Sequence, residues 1–294
     1  MIPKEILKKI REIEIKTSQK VTEVFAGCYE SVFKGRGMEF DEVREYQPGD
    51  EIRSIDWNVT ARMGKPYIKR FVEERELCVM LLLDASLSCK FGTRGRLKID
   101  LAAEVSSVLA FSAITNNDKV GMIIFTDRIE KFVYPQKGTE HVLRLIRDTL
   151  CFVPKGKKTD ISVALQFLDK MTTRKAVCFI ISDFFAPDYK KALSIANKKH
   201  DIIAIKIADP AEEAFTDVGI LQLQDAETGK DFLIDTSNPR LMDKYKKDAQ
   251  SNNEKQKQMF STINIDSINL HTDVPYVDSL IKFFSIRQSR LAGK

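Results

Sequence analysis

The 294-residue sequence predicts an α/β fold in which a mostly parallel central sheet is flanked by helices and preceded by an irregular N-terminal extension. Three observations carry this. The runs LCVMLLLD, VGMIIFT, AVCFIISD and DIIAIKIAD are apolar at nearly every place, as strands buried on both faces must be. Segments with apolar residues at helical spacing alternate with those runs. The chain before Leu77 shows no such alternation, so it divides into residues 1–76 and 77–294.

The first region begins with Ile6, Ile10 and Ile13 on one stripe, the mark of an amphipathic helix. It then turns polar. Gly35, Gly37, Pro48-Gly49-Asp50 and Gly64-Lys65-Pro66 punctuate it as turns between short extended pieces. With so little apolar content it reads as a wrap packed on the main domain. From Leu77 the order is strand, helix (Leu97–Ile114), strand (VGMIIFT), and a short edge strand (IEKFVY). Helices at His141–Phe152 and Ile161–Met171 follow, then AVCFIISD as a strand, a helix at Lys190–Asn197 and DIIAIKIAD as a strand. The chain ends with a hairpin (ILQLQDAETGKDFLID), a charged helix around Leu241–Phe260 and a last helix from Val274 to Arg287.

Composition narrows the function. With 43% hydrophobic and 30% charged residues the chain can bury a large core, and its formal charge of +5 is too small to argue for nucleic acid. The basic cluster Arg62, Lys65, Lys69 and Arg70, interleaved with Tyr67 and Phe71, is cancelled at once by Glu73, Glu74 and Glu76. Five cysteines without a CxxC pair read as reduced thiols of a cytoplasmic protein. The N-terminus is too charged for a signal peptide, and no apolar run approaches the roughly 20 residues of a membrane span. Three scattered histidines weaken a His-based hydrolase or zinc site, and no GxxxxGK[ST] loop is present.

In parallel α/β sheets ligands bind beyond the carboxyl ends of the strands. Three oxygen-bearing sequences fall at such ends or at helix starts: Asp84-x-Ser86-x-Ser88, Thr159 in KGKKTD, and Ser182-Asp183. Two readings stand side by side. Asp and Ser after a strand cap helices and form turns, and Thr159 can cap the helix that follows. Alternatively, carboxylate and hydroxyl oxygens without His or Cys suit a hard cation, Mg2+ or Mn2+, with Asp84 and Asp183 supplying charge and Ser86, Ser88 and Thr159 neutral oxygens. An ion with so few charged donors stays open to an acidic residue supplied by a protein partner.

DASLS, the later KTDISVAL and IISDF together resemble the metal-ion-dependent adhesion site (MIDAS) of Rossmann-like von Willebrand factor A domains. FKGRGMEFDEVREYQPGDEIRSIDWNVTARMGKPYIKRFVEERE leading into LLLDASLS is similar to the DUF58 family of bacterial von Willebrand A-like proteins. The chain departs from that family at Cys89-Lys90, where a Met is frequent. The resemblance implies an adaptor or chaperone-like role beside a MoxR-type AAA+ ATPase and membrane-bound A-domain proteins. In the same run Arg44, Arg53, Asp56 and Trp57 read as pins that hold the segment on the main domain. With Asp50 and Arg62 they also form a candidate docking surface for a partner. The enzymatic alternative is a magnesium phosphatase or phosphotransferase using Asp84. Such enzymes resemble DxD at this point, and here the second acid is replaced by Ser86, which protonates no leaving group readily.

Overall fold

The computed structural model describes Tyr29, Val32, Phe33 and residues 39–72, 77–225 and 229–292. The helix expected on Ile6, Ile10 and Ile13 lies outside the described residues. Ten strands and eight α-helices are defined among the described residues. In the first region β1 (Glu39–Glu45) pairs antiparallel with β2 (Tyr67–Val72), and a short helix α1 (Trp57–Met63) lies between them.

The main sheet contains β3 (Cys78–Asp84), β4 (Lys119–Phe125), β5 (Ile129–Gln136), β6 (Val177–Ser182), β7 (Asp201–Ala208) and β10 (Asp266–His271). Their spatial order is β10-β7-β6-β3-β4-β5, and every pair is parallel except β4 with the edge strand β5. This is the mostly parallel, helix-flanked sheet that the sequence predicts, with β3 near its centre. The hairpin is β8 (Ile220–Gln224) with β9 (Asp231–Asp235). Strand β10 has no counterpart in the sequence reading. DSINLH places Asp266, Ser267 and Asn269 among its apolar residues, because an edge strand is buried on one face only.

Side chains alternate across β3. Val79, Leu81 and Leu83 face one layer, built from α2 (Lys98–Thr115), α3 (Thr139–Leu150) and α8 (Tyr276–Ala292). Met80 and Leu82 face the other, built from α4 (Ile161–Met171), α5 (Lys190–Lys199) and the end of α7 (Pro239–Thr262). Burial on both faces is what makes the strand continuously apolar. Tyr29 and Val32 are buried in the first layer, and the Phe33 ring stands edge-on to Phe179 and Phe284. This part of the N-terminal region therefore contributes to the main core. The helix α6 (Pro210–Glu213) is a single turn just beyond β7.

Candidate functional site

At the carboxyl end of β3 the chain leaves the sheet through Asp84, which is wholly buried. Its Oδ1 accepts the Ser86 N–H at 2.9 Å, and its Oδ2 accepts the Ser182 hydroxyl at 2.6 Å. The ends of β3 and β6 are thereby joined. A 3-10 turn (Leu87–Lys90) follows, with the Ser86 and Ser88 hydroxyls 3.0 Å apart. Ser86 stands at the N-cap of that turn and makes no side-chain cap bond. The capping role does not hold for its hydroxyl.

It does not hold for Thr159 either. Helix α4 is capped by Asp160, whose Oδ1 accepts from Ser162 N at 2.8 Å and Val163 N at 3.3 Å. The Thr159 hydroxyl is buried and has no hydrogen-bond partner. The loop that carries it is seated firmly against the DASLS turn. Lys157 O accepts from Leu87 N at 3.3 Å, and Asp160 N donates to Thr126 O at 3.0 Å. Glu130 Oε1 collects Gly156 N at 2.6 Å and Lys155 N at 3.1 Å. A Cβ on Gly156 would lie 2.1 Å from Thr126 Oγ1 and from Asp127 Oδ1, so this approach needs glycine. Burial works to raise the Glu130 pKa, but bonds from Gly156, Thr126 and Lys155 outweigh it and hold the carboxyl below its ordinary range.

Asp183, also wholly buried, accepts Phe185 N on Oδ1 at 3.1 Å. Its Oδ2 is paired with Lys98 Nζ at 2.7 Å, and the same ammonium meets Glu212 Oε1 at 2.5 Å. Lys98 is a residue that sequence reasoning passed over. It stands in GRLKID at the first position of α2, where a lysine ordinarily faces water, yet it is 1% exposed. No signal in one sequence separates it from the exposed lysines around it. Asp209, at the end of β7, was missed for a different reason: KIAD has the strand-then-acid form of LLLD but lacks the hydroxyls after it. Its carboxylate accepts Thr93 N at 2.9 Å, Thr93 Oγ1 at 2.6 Å, Thr272 Oγ1 at 2.6 Å and Ala211 N at 3.0 Å. It fastens the loop after DASLS to the end of β10, and with Glu212 it forms the capping box of α6.

The electrostatics divide the acids. Burial, then repulsion from Asp183, raises the Asp84 pKa to about 6, against the pull of the Ser182 and Ser86 bonds. Burial works against the charge on Lys98, but the Asp183 and Glu212 carboxylates outweigh it and hold the ammonium firmly charged. Glu212 is raised by burial despite Lys98. Asp209 is held below its ordinary range, since the bonds from Thr272, Thr93 and Ala211 overcome burial. The Cys89 thiol beneath Ser86 is pushed well up by burial and by Asp84 and Asp183, which keeps it neutral.

The donor set therefore fits a hard cation. It offers Asp84 and Asp183, the paired Ser86 and Ser88 hydroxyls, and a buried Thr159 hydroxyl that the protein leaves without a partner. Among the described residues no three His, Cys, Asp or Glu form a metal cluster, so an ion at this rim would depend on the hydroxyls.

The docking residues of the first region are arranged differently from the pins expected. Arg44 bridges Asp50 at 2.7 Å, and Asp50 Oδ2 accepts Gln47 N, so this pair closes a turn within its own segment. Asp56 is the N-cap of α1. Arg53 and Arg62 are exposed. Trp57 is 67% exposed, so it does not anchor the segment in a core.

Residues 42–255 match the family model described as "Protein of unknown function DUF58". An uncharacterized protein of Mycobacterium tuberculosis is 31% identical over 97% of this chain and 90% of its own length. The uncharacterized protein YeaD of Bacillus subtilis is 26% identical over 57% of this chain and 40% of its own. Among solved structures, BatB from Bacteroides thetaiotaomicron aligns over 74% of this chain and 100% of that one, with 17% identity and a TM-score of 0.45. The SpRpn10 VWA domain aligns over 70% and 94%, with 13% identity and a TM-score of 0.39. Among the described residues no helix is long and apolar enough to cross a membrane.

Proposed function

The chain belongs to the DUF58 family, and from that premise we propose that it is a non-enzymatic protein-interaction module whose rim holds Mg2+ or Mn2+. The observation that carries the reading is the Thr159 hydroxyl, buried without a partner while the neighbouring Asp160 performs the capping. An unmade hydrogen bond at such a site costs about 1–3 kcal/mol unless something else meets the oxygen. Asp84 supports the same reading, since its raised pKa reports a negative charge that the fold alone does not balance. A bound cation would supply an open coordination position for a carboxylate of a partner protein. The chain's own residues prepare that place. Ser86, Ser88 and Thr159 present oxygens, Asp84 and Asp183 supply charge, and Glu130 with Gly156 fixes the Thr159 loop.

Both Asp84 oxygens are engaged, by Ser86 N–H and by the Ser182 hydroxyl. That suits an electrostatic role better than nucleophilic attack, and no second acid occupies position 86 for general acid chemistry. The partner we propose is a MoxR-type AAA+ ATPase, with this chain as its adaptor in the cytoplasm; this rests on the family resemblance. Exposed Ile52, Trp57 and Met63 in the first region support a docking role there. Calorimetric titration of the metal-free chain with Mn2+ tests the rim. Saturable binding lost in Asp84→Ala is expected, and binding unchanged in that variant refutes the site.

A further inference from the structure

Beside Asp183, residues 184–190 and α7 line an open surface cavity of about 570 Å3. Phe184, Phe185, Tyr189 and Met259 give it apolar walls. Lys206, from β7, also lines it, and this residue is only 6% exposed. Its ammonium donates to Asn253 Oδ1 at 2.6 Å and lies 5.7 Å from the centroid of the Phe185 ring. Among the described residues no carboxylate lies within ion-pair distance of it.

A buried cation met only by an amide oxygen and an aromatic face is costly, because several kcal/mol of hydration are lost per ion. Burial pushes the Lys206 pKa down, with Glu212, Glu213 and Asp183 only partly offsetting it. Those acids are engaged elsewhere. Asp183 and Glu212 hold Lys98, and Glu213 accepts from Asn253 Nδ2 at 3.1 Å. At the cavity itself Lys190 and Lys255 join Lys206 against a single acid, Asp188. Helix α5 begins at this wall, and its N-cap residue Tyr189 offers no side-chain acceptor to the first turn. The positive end of that helix adds to the lysines.

We propose that this cavity is a second anchor site of the module, taking an acidic side chain that neighbours an aromatic or aliphatic one on the protein partner, with Lys206 pairing its carboxylate. The inference deepens the proposed function, since a partner whose one carboxylate reaches the rim would seat an adjoining acidic-apolar pair here. The pairing with Lys206 itself needs no cation at the rim. Apolar walls select for a carboxylate carried on an apolar body, and the mouth lysines steer it in.

The test uses the isotope-labelled full chain in EDTA, titrated with the blocked dipeptide acetyl-Phe-Glu-amide and followed by amide NMR. Saturable shifts are expected at residues 184–190, 206 and 252–259. The acetyl-Phe-Gln-amide counterpart should bind about tenfold more weakly, as should the acidic dipeptide to Lys206→Met, while Lys206→Arg keeps most of the affinity. Lys206→Met replaces a buried charge with an apolar group of similar length, which favours folding. If it nonetheless fails to fold, Lys190→Glu combined with Lys255→Glu, both at exposed positions, should weaken binding by a similar factor. Equal binding of the Glu and Gln dipeptides overturns the proposal. So does inorganic phosphate binding as tightly as the acidic dipeptide, because the apolar walls then select nothing. Dipeptide binding in a chain that takes up no Mn2+ leaves this site standing and removes the rim reading; Mn2+ uptake without dipeptide binding does the reverse.

Discussion

Replacing Asp84 by Asn should stabilise the metal-free protein. The carboxyl is wholly buried and its pKa stands at about 6 rather than the ordinary 3.8. The gap is about 2 units, and each unit is worth about 1.4 kcal/mol, so the ionised form carries about 3 kcal/mol of unfavourable energy at pH 8. Asn keeps an oxygen for the Ser86 N–H. It also turns an amide N–H toward the Ser182 hydroxyl, which already accepts from Phe184 N at 2.9 Å, and that mismatch costs about 1 kcal/mol. The net gain is about 2 kcal/mol, or several degrees in melting temperature for a chain of this size. The pH dependence follows from the raised pKa. An acid held protonated by the fold contributes stability that is lost as pH rises from about 4 to about 6. Glu212, also raised, acts in the same direction. Thermal melts in EDTA should therefore show the variant ahead at pH 8 and the advantage gone near pH 4. Added Mg2+ should raise the wild-type melting temperature and leave the variant's unchanged. A variant that melts below wild type in EDTA at pH 8 would refute the reasoning, because Asp84 would then be balanced by the fold itself.

Thr159→Val should stabilise the metal-free chain by about 1–3 kcal/mol, since it removes a buried hydroxyl that has no hydrogen-bond partner, yet weaken Mn2+ binding in calorimetry by about tenfold. Asp160→Ala should do the opposite, losing about 1 kcal/mol of capping in denaturant melts with Mn2+ affinity kept. Asp209→Asn should cost about 2–3 kcal/mol at neutral pH, since four hydrogen bonds converge on the carboxylate. Its depressed pKa contributes stability that is present above the ordinary aspartate range and lost as pH falls through it, so the variant should show a shallower acid limb in melts below about pH 4. Lys98→Gln should lower the metal-free melting temperature but tighten Mn2+ by about tenfold, because a like charge leaves Asp183; a fall in both would mean that Lys98 only holds the site in shape. Trp57 is the single tryptophan, so its fluorescence should resemble that of the free amino acid in water, and a shielded, blue-shifted emission would contradict its exposure.

The sheet was legible in the sequence wherever burial was complete. LCVMLLLD, VGMIIFT, AVCFIISD and DIIAIKIAD each became a strand of the expected kind, since a strand covered on both faces has no place for polar side chains. Strand β10 escaped because one-sided burial leaves Asp266, Ser267 and Asn269 in it, and such a mixture reads as loop. At the rim the residues that end strands or begin helices, Asp84, Ser86, Ser88, Thr159 and Asp183, could be picked out from position alone. What position could not separate was the capping role from the ligand role. That choice between Thr159 and Asp160 turns on a single residue of register at the start of α4.

The charges that complete the rim were hidden for a more general reason. Lys206, Asp209 and Glu212 follow one another along the end of β7 and α6, far in the chain from Lys98, Asp84 and Asp183, and they meet those residues only because β3, β6 and β7 are neighbours in the parallel sheet. Each is an ordinary charged residue in its own segment, and its burial is a property of the helix or strand that covers it. Their arrangement nonetheless bears on how the rim would work. Lys98 pairs with both Asp183 and Glu212 and offsets part of their charge, whereas Asp84 and Thr159 are left with unmet demand. A rim with every charge balanced internally would gain little from a cation, and one with none balanced would not fold without it. Partial balance gives a site that folds empty and still has about 3 kcal/mol at Asp84 to recover on binding. That is the condition under which occupancy can depend on what a partner adds.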